Sequence, residues 1–172
     1  KNALSGDRLK LDIANMLYDT CEDVILRNKA SNDYKNFEFE IISNFSIASK
    51  IDAEHFEIST EDSLISELYE FLLKYYDDKT NSNAKLAYLV IKNVYERPGN
   101  KFERIVVPFS DGTKSINVVT DLKKGYESGG KKLVDDFERN ISLAFIDDIW
   151  KTHLRKMDEL KQSVQLAVHE QK

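Results

Sequence analysis

The stretch Ile146-Asp147-Asp148-Ile149-Trp150-Lys151-Thr152-His153-Leu154-Arg155-Lys156-Met157-Asp158-Glu159-Leu160-Lys161-Gln162-Ser163-Val164 decides how this chain folds. Trp150, Leu154, Met157, Leu160, Val164 and Ala167 recur three or four residues apart, which puts them in one stripe along a helix. Leu133, Phe137, Ile141, Phe145 and Ile149 form a preceding stripe on a rotated face. From Lys131 to about Gln171 there is neither Gly nor Pro, which predicts a helix roughly 60 Å long. A small domain needs no helix of that length to close a core. Such a helix spans between parts, or reaches out to a partner.

Upstream of it, Gly129-Gly130 reads as a hinge, and Asp121 as the cap of a short helix running through Tyr126. Before that lie two β-branched runs, Arg104-Ile105-Val106-Val107-Pro108-Phe109 and Lys114-Ser115-Ile116-Asn117-Val118-Val119. They are separated by Ser110-Asp111-Gly112-Thr113, and Asp-Gly between such runs signals a hairpin, because a type I′ turn needs positive φ at its central residues. Pro108 has no N–H for a ladder, so that side of its strand is expected to stay unpaired. An isolated hairpin is marginal in water, so this one must lean on the helices.

The first half of the chain reads as helices. One is predicted from about Ser5, as N-cap, to Asn28, with Asp7 in its first turn. It carries two stripes: Leu11, Ala14, Tyr18, Cys21 and Ile25, and Leu9, Ile13, Met16, Thr20 and Val24. After a break at Ala30 to Asp33, a second helix is predicted from Tyr34 to Phe45, with Phe37, Ile41, Ile42 and Phe45 inward. Ser59 with Asp62 resembles a capping box opening a third helix, lined by Leu64, Leu68, Phe71, Leu72 and Tyr75. A polar break at Thr80 to Asn83 precedes a fourth helix from Ala84 to Glu96, using Leu86, Leu89, Val90 and Val94 and ended by Pro98-Gly99. The expected fold is mainly α. Residues 1–31 and 129–172 pack lengthwise, and residues 32–128 form a mostly helical insertion with one β-hairpin.

Composition narrows the class. At 172 residues, 41% hydrophobic and 32% charged, the chain is too apolar for disorder and too polar for a membrane protein. No apolar run approaches the ~20 residues that span a bilayer, and the start is not a signal peptide. The lone Cys21 excludes an internal disulfide, fits a reducing compartment and reads as a small buried apolar residue. The chain opens on Lys1 without Met and stops at Lys172 with its helical pattern barely finished, so it is expected to be a piece of a longer protein. With a net charge of −5 and a pI near 5.3, a nucleic-acid partner is not expected.

No catalytic, cofactor or metal site is read from the residues. There is no Gly-x-x-x-x-Gly-Lys-(Ser/Thr) phosphate loop, no Gly-x-Gly-x-x-Gly and no Gly-x-Ser-x-Gly. His55, His153 and His169 make no His-x-x-x-His pair, and a helical di-iron site would need two Glu-x-x-His pairs. Asp52-Ala53-Glu54-His55 reads as a solvated loop. Asp148 and His153 are five apart, off the facing distance of a helix, so His153 is expected to be a hydrogen-bonded packing residue and Trp150 an anchor between helices. Lys151, Arg155, Lys156 and Lys161 alternate with Asp147, Asp148, Asp158 and Glu159, as on a solvated face.

The string Asp147, Trp150, His153, Leu154, Met157, Asp158, Leu160, Lys161, Gln162 resembles the scaffold and two-helix-finger region of SecA, the motor of bacterial protein export. Leu166-Ala167-Val168-His169-Glu170-Gln171-Lys172 resembles the approach to the finger tip. Ala3-Leu4-Ser5-Gly6-Asp7-Arg8-Leu9, continuing through Lys10-Leu11-Asp12-Ile13-Ala14-Asn15-Met16, is similar to the opening of the family's long scaffold helix. The two matches cover roughly a third of the chain, in the family's order, and the middle loosely resembles its wing domain. The resemblance implies scaffold, wing and scaffold over 1–31, 32–128 and 129–172.

It further implies a non-catalytic piece of an ATP-driven translocase, with ATP and Mg bound elsewhere in the parent protein. The packing residues would be Trp150, His153, Leu154, Met157, Leu160 and Val164. Preprotein contact would fall to His169, with Val168 and Glu170 beside it, where many relatives place a bulky residue, often tyrosine. Read alone, His169 is a surface residue at a frayed chain end, and the turns beyond Val164 are expected to fray without a second helix. The implied partners are other SecA domains, the SecY channel complex and a secretory preprotein, at the cytoplasmic face of the plasma membrane as a peripheral protein. Lys123, Lys124, Lys131 and Lys132 are candidates for anionic lipid. The alternatives are a free-standing helical adaptor and an unknown small enzyme.

Overall fold

The computed structural model describes residues 6–99, 101–110, 112, 113 and 115–170, and over 162–170 the backbone alone. Among them the order is α1 (Asp7–Ser31), α2 (Tyr34–Phe45), α3 (Ala53–Ile58), α4 (Glu61–Tyr95), β1 (Arg104–Ser110), β2 (Ser115–Asp121), α5 (Leu122–Glu127) and α6 (Lys131–Glu170). The fold is mainly α with one antiparallel hairpin, as the sequence predicts. The chain divides inside α4 into two compact units, Lys1–Leu86 and Ala87–Lys172.

In the first unit, α1 ends where Asn32 takes the left-handed conformation, φ 51°, and its N–H returns to the helix carbonyls. Asp33 then caps α2, its carboxylate accepting the Asn36 N–H at 3.0 Å. Cys21, Val24 and Ile25 of α1 meet Phe37 and Ile41 of α2, Phe56 of α3, and Leu64, Leu68 and Leu72 of α4 in one buried cluster. Phe37 and Phe56 stack with centroids 4.9 Å apart. Removing a side chain of this size from water contributes about 1.5–3 kcal/mol.

Several expectations are corrected here. Ile42 is exposed, because Phe37, Ile41 and Phe45 at four-residue spacing already fill the inward face and Ile42 lies about 100° round from Ile41. The 52–55 segment is not a loop but the start of α3: Asp52 accepts the His55 N–H at 2.8 Å, and Phe56 provides the buried anchor that holds so short a helix. The Ser59 capping box does not form. Ser59 closes α3 by donating its N–H to the His55 carbonyl, and Thr60 supplies the hydroxyl that meets the Ser63 N–H at 3.4 Å. α1 begins at Asp7, and Ser5 lies outside the described residues.

The polar run 80–83 does not break the chain either; α4 passes through it. Thr80 turns its hydroxyl back to the Tyr76 and Asp77 carbonyls, both at 3.0 Å, so the helix satisfies it internally.

In the second unit the inward residues of α4 are Ala87, Ile91 and Val94; Leu89 and Val90, like Leu86 at the end of the first unit, are exposed, opposite to their predicted burial. Close approach of a glycine accounts for Ile91. α5 comes so close that a Cβ on Gly125 would lie 3.2 Å from Ile91 Cδ1. The hairpin pairs Arg104 with Asp121 through Ser110 with Ser115. Ile105, Val107 and Phe109 of β1 alternate inward with Ile116 and Val118 of β2. Asp121 caps α5 as expected, accepting the Lys124 N–H at 2.8 Å, and Gly129 and Gly130, with φ of 62° and 87°, turn the chain into α6.

Candidate functional site

The long helix has two unlike halves. Over 131–142 it packs on its own unit: Leu133 is 1% exposed beside Ile91, Val118 and Leu122, and Phe137 stacks on Phe109 with centroids 4.3 Å apart. A polar clamp holds the same register. The buried Thr120 donates to Asp136 Oδ2 at 2.8 Å, and Lys132 pairs with the other oxygen of that carboxylate. Neither Thr120 nor Asp136 was singled out from the sequence. The available signal was a threonine two residues after Val118 on the inward side of a strand.

Over 143–161 every residue of α6 is exposed. Trp150 is 58% exposed, and Leu154, Met157 and Leu160 stand open beside it on one stripe, with Phe145, Ile146 and Ile149 on the adjoining face. The Trp150 and His153 rings lie 5.9 Å apart at 29°, so they stack on each other. Asp147 and Lys151 form an exposed pair at 2.5 Å. Isolated exposed apolar residues are ordinary, but an aligned row of this length marks a face built to be covered. The side chains of Val164, Val168, His169 and Glu170 lie outside the described residues, as does the question of fraying there; the helix backbone is described to Glu170.

The remaining polar geometry is structural. His55 Nε2 meets Glu67 Oε2 at 2.7 Å, and its Nδ1 lies 3.3 Å from Ser59 Oγ. This trio fastens α3 to α4, and with both ring and carboxylate near half exposure, water screens the pair. Lys29 caps the end of α3 by donating to the Phe56 and Glu57 carbonyls at 2.7 and 3.1 Å. Burial pushes the Cys21 thiol up to about 12, the opposite of what a reactive thiolate needs. The Tyr126 hydroxyl is also raised to about 12, chiefly by its hydrogen bond to Glu96 at 2.9 Å. Among the described residues no group of His, Cys, Asp or Glu is arranged to hold a metal ion, and no helix is long and apolar enough to cross a membrane.

Comparison with known proteins places this architecture. The family model described as the SecA wing and scaffold domain matches residues 1–172. The protein translocase subunit SecA of Flavobacterium psychrophilum is 60% identical over 172 residues, all of this chain and 15% of that relative. The same subunit of Christiangramia forsetii is 57% identical over 171 residues, and that of Cytophaga hutchinsonii 42% over 172, again covering 15% of each relative. The chain therefore spans about 15% of the length of the curated relatives it matches. No solved structure matches it. Covered from its first residue to its last by that family's model, the chain belongs to the SecA wing and scaffold domain family.

Proposed function

We propose that this chain is the coupling part of an ATP-driven protein-export motor and carries no catalytic site of its own. The division is scaffold over 1–31, wing over 32–128 and scaffold again over 129–172. ATP and Mg are handled by other domains of the parent protein. α6 is the transmitting element: its first half is bolted to the hairpin, and its second half offers Trp150, His153, Leu154, Met157, Leu160 and Val164 to the motor's other domains. The observation that carries this reading is the unbroken exposure of an apolar stripe over 143–161.

At the far end of α6, His169 meets the translocating preprotein inside the SecY channel, with Val168 and Glu170 flanking it. An imidazole suits the contact, having an aromatic face and a hydrogen-bonding edge without a permanent charge at neutral pH. The protein works at the cytoplasmic face of the plasma membrane as a peripheral component. Lys123, Lys124, Lys131 and Lys132 give weak attraction to anionic headgroups, reduced by the pairing of Lys123 with Glu127 and of Lys132 with Asp136.

The test is crosslinking in the parent translocase bearing Cys21→Ala and His169→Cys, with ATP and a preprotein stalled in the channel. The expected result is a crosslink from position 169 to the stalled chain, absent from a Lys92→Cys control. If the folded, channel-bound protein gives none, the tip does not meet the preprotein and the helical-adaptor reading gains.

A further inference from the structure

The hairpin meets α6 unevenly. Near its root Thr120 donates to Asp136 Oδ2 at 2.8 Å and Val118 shares a buried cluster with Leu133, and Phe109 stacks on Phe137. Leu133, Asp136 and Phe137 stand three and four residues apart, so these ties fall on one face of the helix. Beyond the stack the two elements part, leaving a space of about 600 Å³ between Ile116 on the strand side and Ile141 and Ala144 on the helix. The root itself is closed, because the Leu122 N–H donates to the Glu103 carbonyl at 2.9 Å just past the Arg104–Asp121 pair. The hairpin is thus one hydrogen-bonded body, tied down at the root and standing clear of α6 at its far end.

The ties differ in how sharply they depend on position. Apolar contacts such as Val118 on Leu133 survive a small slide, whereas a hydrogen bond is lost with it. Thr120 is 1% exposed, so its hydroxyl is satisfied only in the register that brings it to Asp136. Lys132 holds the other carboxylate oxygen from within α6, so Asp136 keeps a cation partner whether or not the hydroxyl is on it. Once apart, both groups meet water, which replaces most of the bond. The contact selects one register sharply and adds only modestly to stability. A latch has that balance.

We propose that Thr120 and Asp136 form a latch, closed in this structure, whose release lets the hairpin lift off α6 as a unit while α4 and α5 stay packed. The contacts on the other side support that division. Gly125 lies against Ile91, and Tyr126 packs on Tyr95 and Tyr88, so α5 is held on α4 without the hairpin. With the latch closed, hairpin and α6 move as one body; with it open, the anchored half of α6 loses its cover. This deepens the coupling reading, on which the latch's use in the parent protein rests, but the latch itself needs no other domain.

The experiment is thiol labelling of the 172-residue chain under native conditions, where the rate tracks the population of the open form. Each protein carries Cys21→Ala and one reporter cysteine. Val118→Cys lies under the hairpin and reacts when the hairpin lifts, whereas Ile91→Cys lies under α5 and reacts only when the unit unfolds. Thr120→Val, nearly isosteric and suited to a strand, removes the hydroxyl and leaves Asp136 on Lys132. It is expected to speed labelling at position 118 by at least about tenfold, the weight of one hydrogen bond to a charged group, and to leave position 91 unchanged. Thr120→Ser, which keeps the hydroxyl, retains the slow rate. Val107→Cys, the cross-strand neighbour on the same inward face, is the second reporter and must give the same pattern. Equal acceleration at 118 and 91 would make Thr120 a contributor to the unit's stability and nothing more. No acceleration at 118 would mean that the apolar contacts hold the hairpin by themselves. Either result overturns the proposal, as does a fast rate in Thr120→Ser. None of these outcomes bears on crosslinking from position 169, so the two readings fail separately.

Discussion

The two halves of α6 have nearly the same apolar spacing and opposite surroundings. Leu133 and Phe137 are enclosed by the hairpin, α5 and the end of α4, whereas Ile149, Trp150 and Leu154, further along the same helix, touch water. Periodicity therefore reports that a helix has an apolar face, but not whether this chain supplies the cover. In the packed half the face contributes to stability. In the open half it contributes nothing comparable, and a folded chain tolerates the exposure because the helix is already anchored at Gly130 and Leu133.

The largest expected effect lies in the packed half. Leu133→Ala removes a side chain that is 1% exposed from a small cluster with few other buried members, so the cost is about 2–5 kcal/mol. Urea unfolding followed by far-ultraviolet circular dichroism measures it, Trp150 being too exposed to report. A loss below about 1 kcal/mol would mean that the cluster relaxes around the cavity, and the contrast between the halves would shrink.

A second measurement calibrates burial in the other unit. Cys21 is fully buried and its thiol is raised from 9.0 to about 12 by that burial. Because the folded value lies above the unfolded one, the neutral thiol's contribution is fully present below pH 9 and is lost as pH climbs towards 12. Over that window the chain loses up to about 1.4 kcal/mol per pH unit from this group, a loss that Cys21→Ala lacks. Subtracting the two pH profiles removes the contribution of the tyrosines, including Tyr126. Coincident slopes would show that the thiol ionises without unfolding the cluster.

Elements set by short-range chemistry were legible in the sequence: the hairpin from two β-branched runs, α2 to its end residues, the Asp121 cap and the Gly129-Gly130 turn. What misled was polarity read as interruption. Thr80 and its neighbours are consistent with either a break or the wet side of a long helix, and the Thr80 back-bond that decides between them is invisible in one dimension. Inward and outward choices also failed where two faces are both apolar: Ile42 and Leu86 look as buried as Ile41 and Ile91 until the neighbour is known. The spacing around Trp150 was legible as one face of a helix, but the Phe109–Ile116 wall beside α6 was not, because strand and helix positions meet there across more than twenty residues of chain.

The smallest expected effect is the most discriminating. Trp150→Ala removes the largest side chain of the open stripe, yet in the 172-residue chain it should change stability by no more than about 0.5 kcal/mol. Among the described residues it breaks the stack on His153, and alanine is the better helix former by about half a kcal/mol, so the net sign can even be favourable. A loss comparable to that of Leu133→Ala would show that Trp150 finds cover within this chain and that the two halves are alike after all. A null result sharpens the comparison when the same substitution is placed in the parent translocase. A covered tryptophan truncated there costs about 3–5 kcal/mol, and melting of that protein against its own wild type reads the difference. The gap between the two measurements is then the stabilisation that the stripe draws from other domains, which is the quantity the proposed coupling role requires.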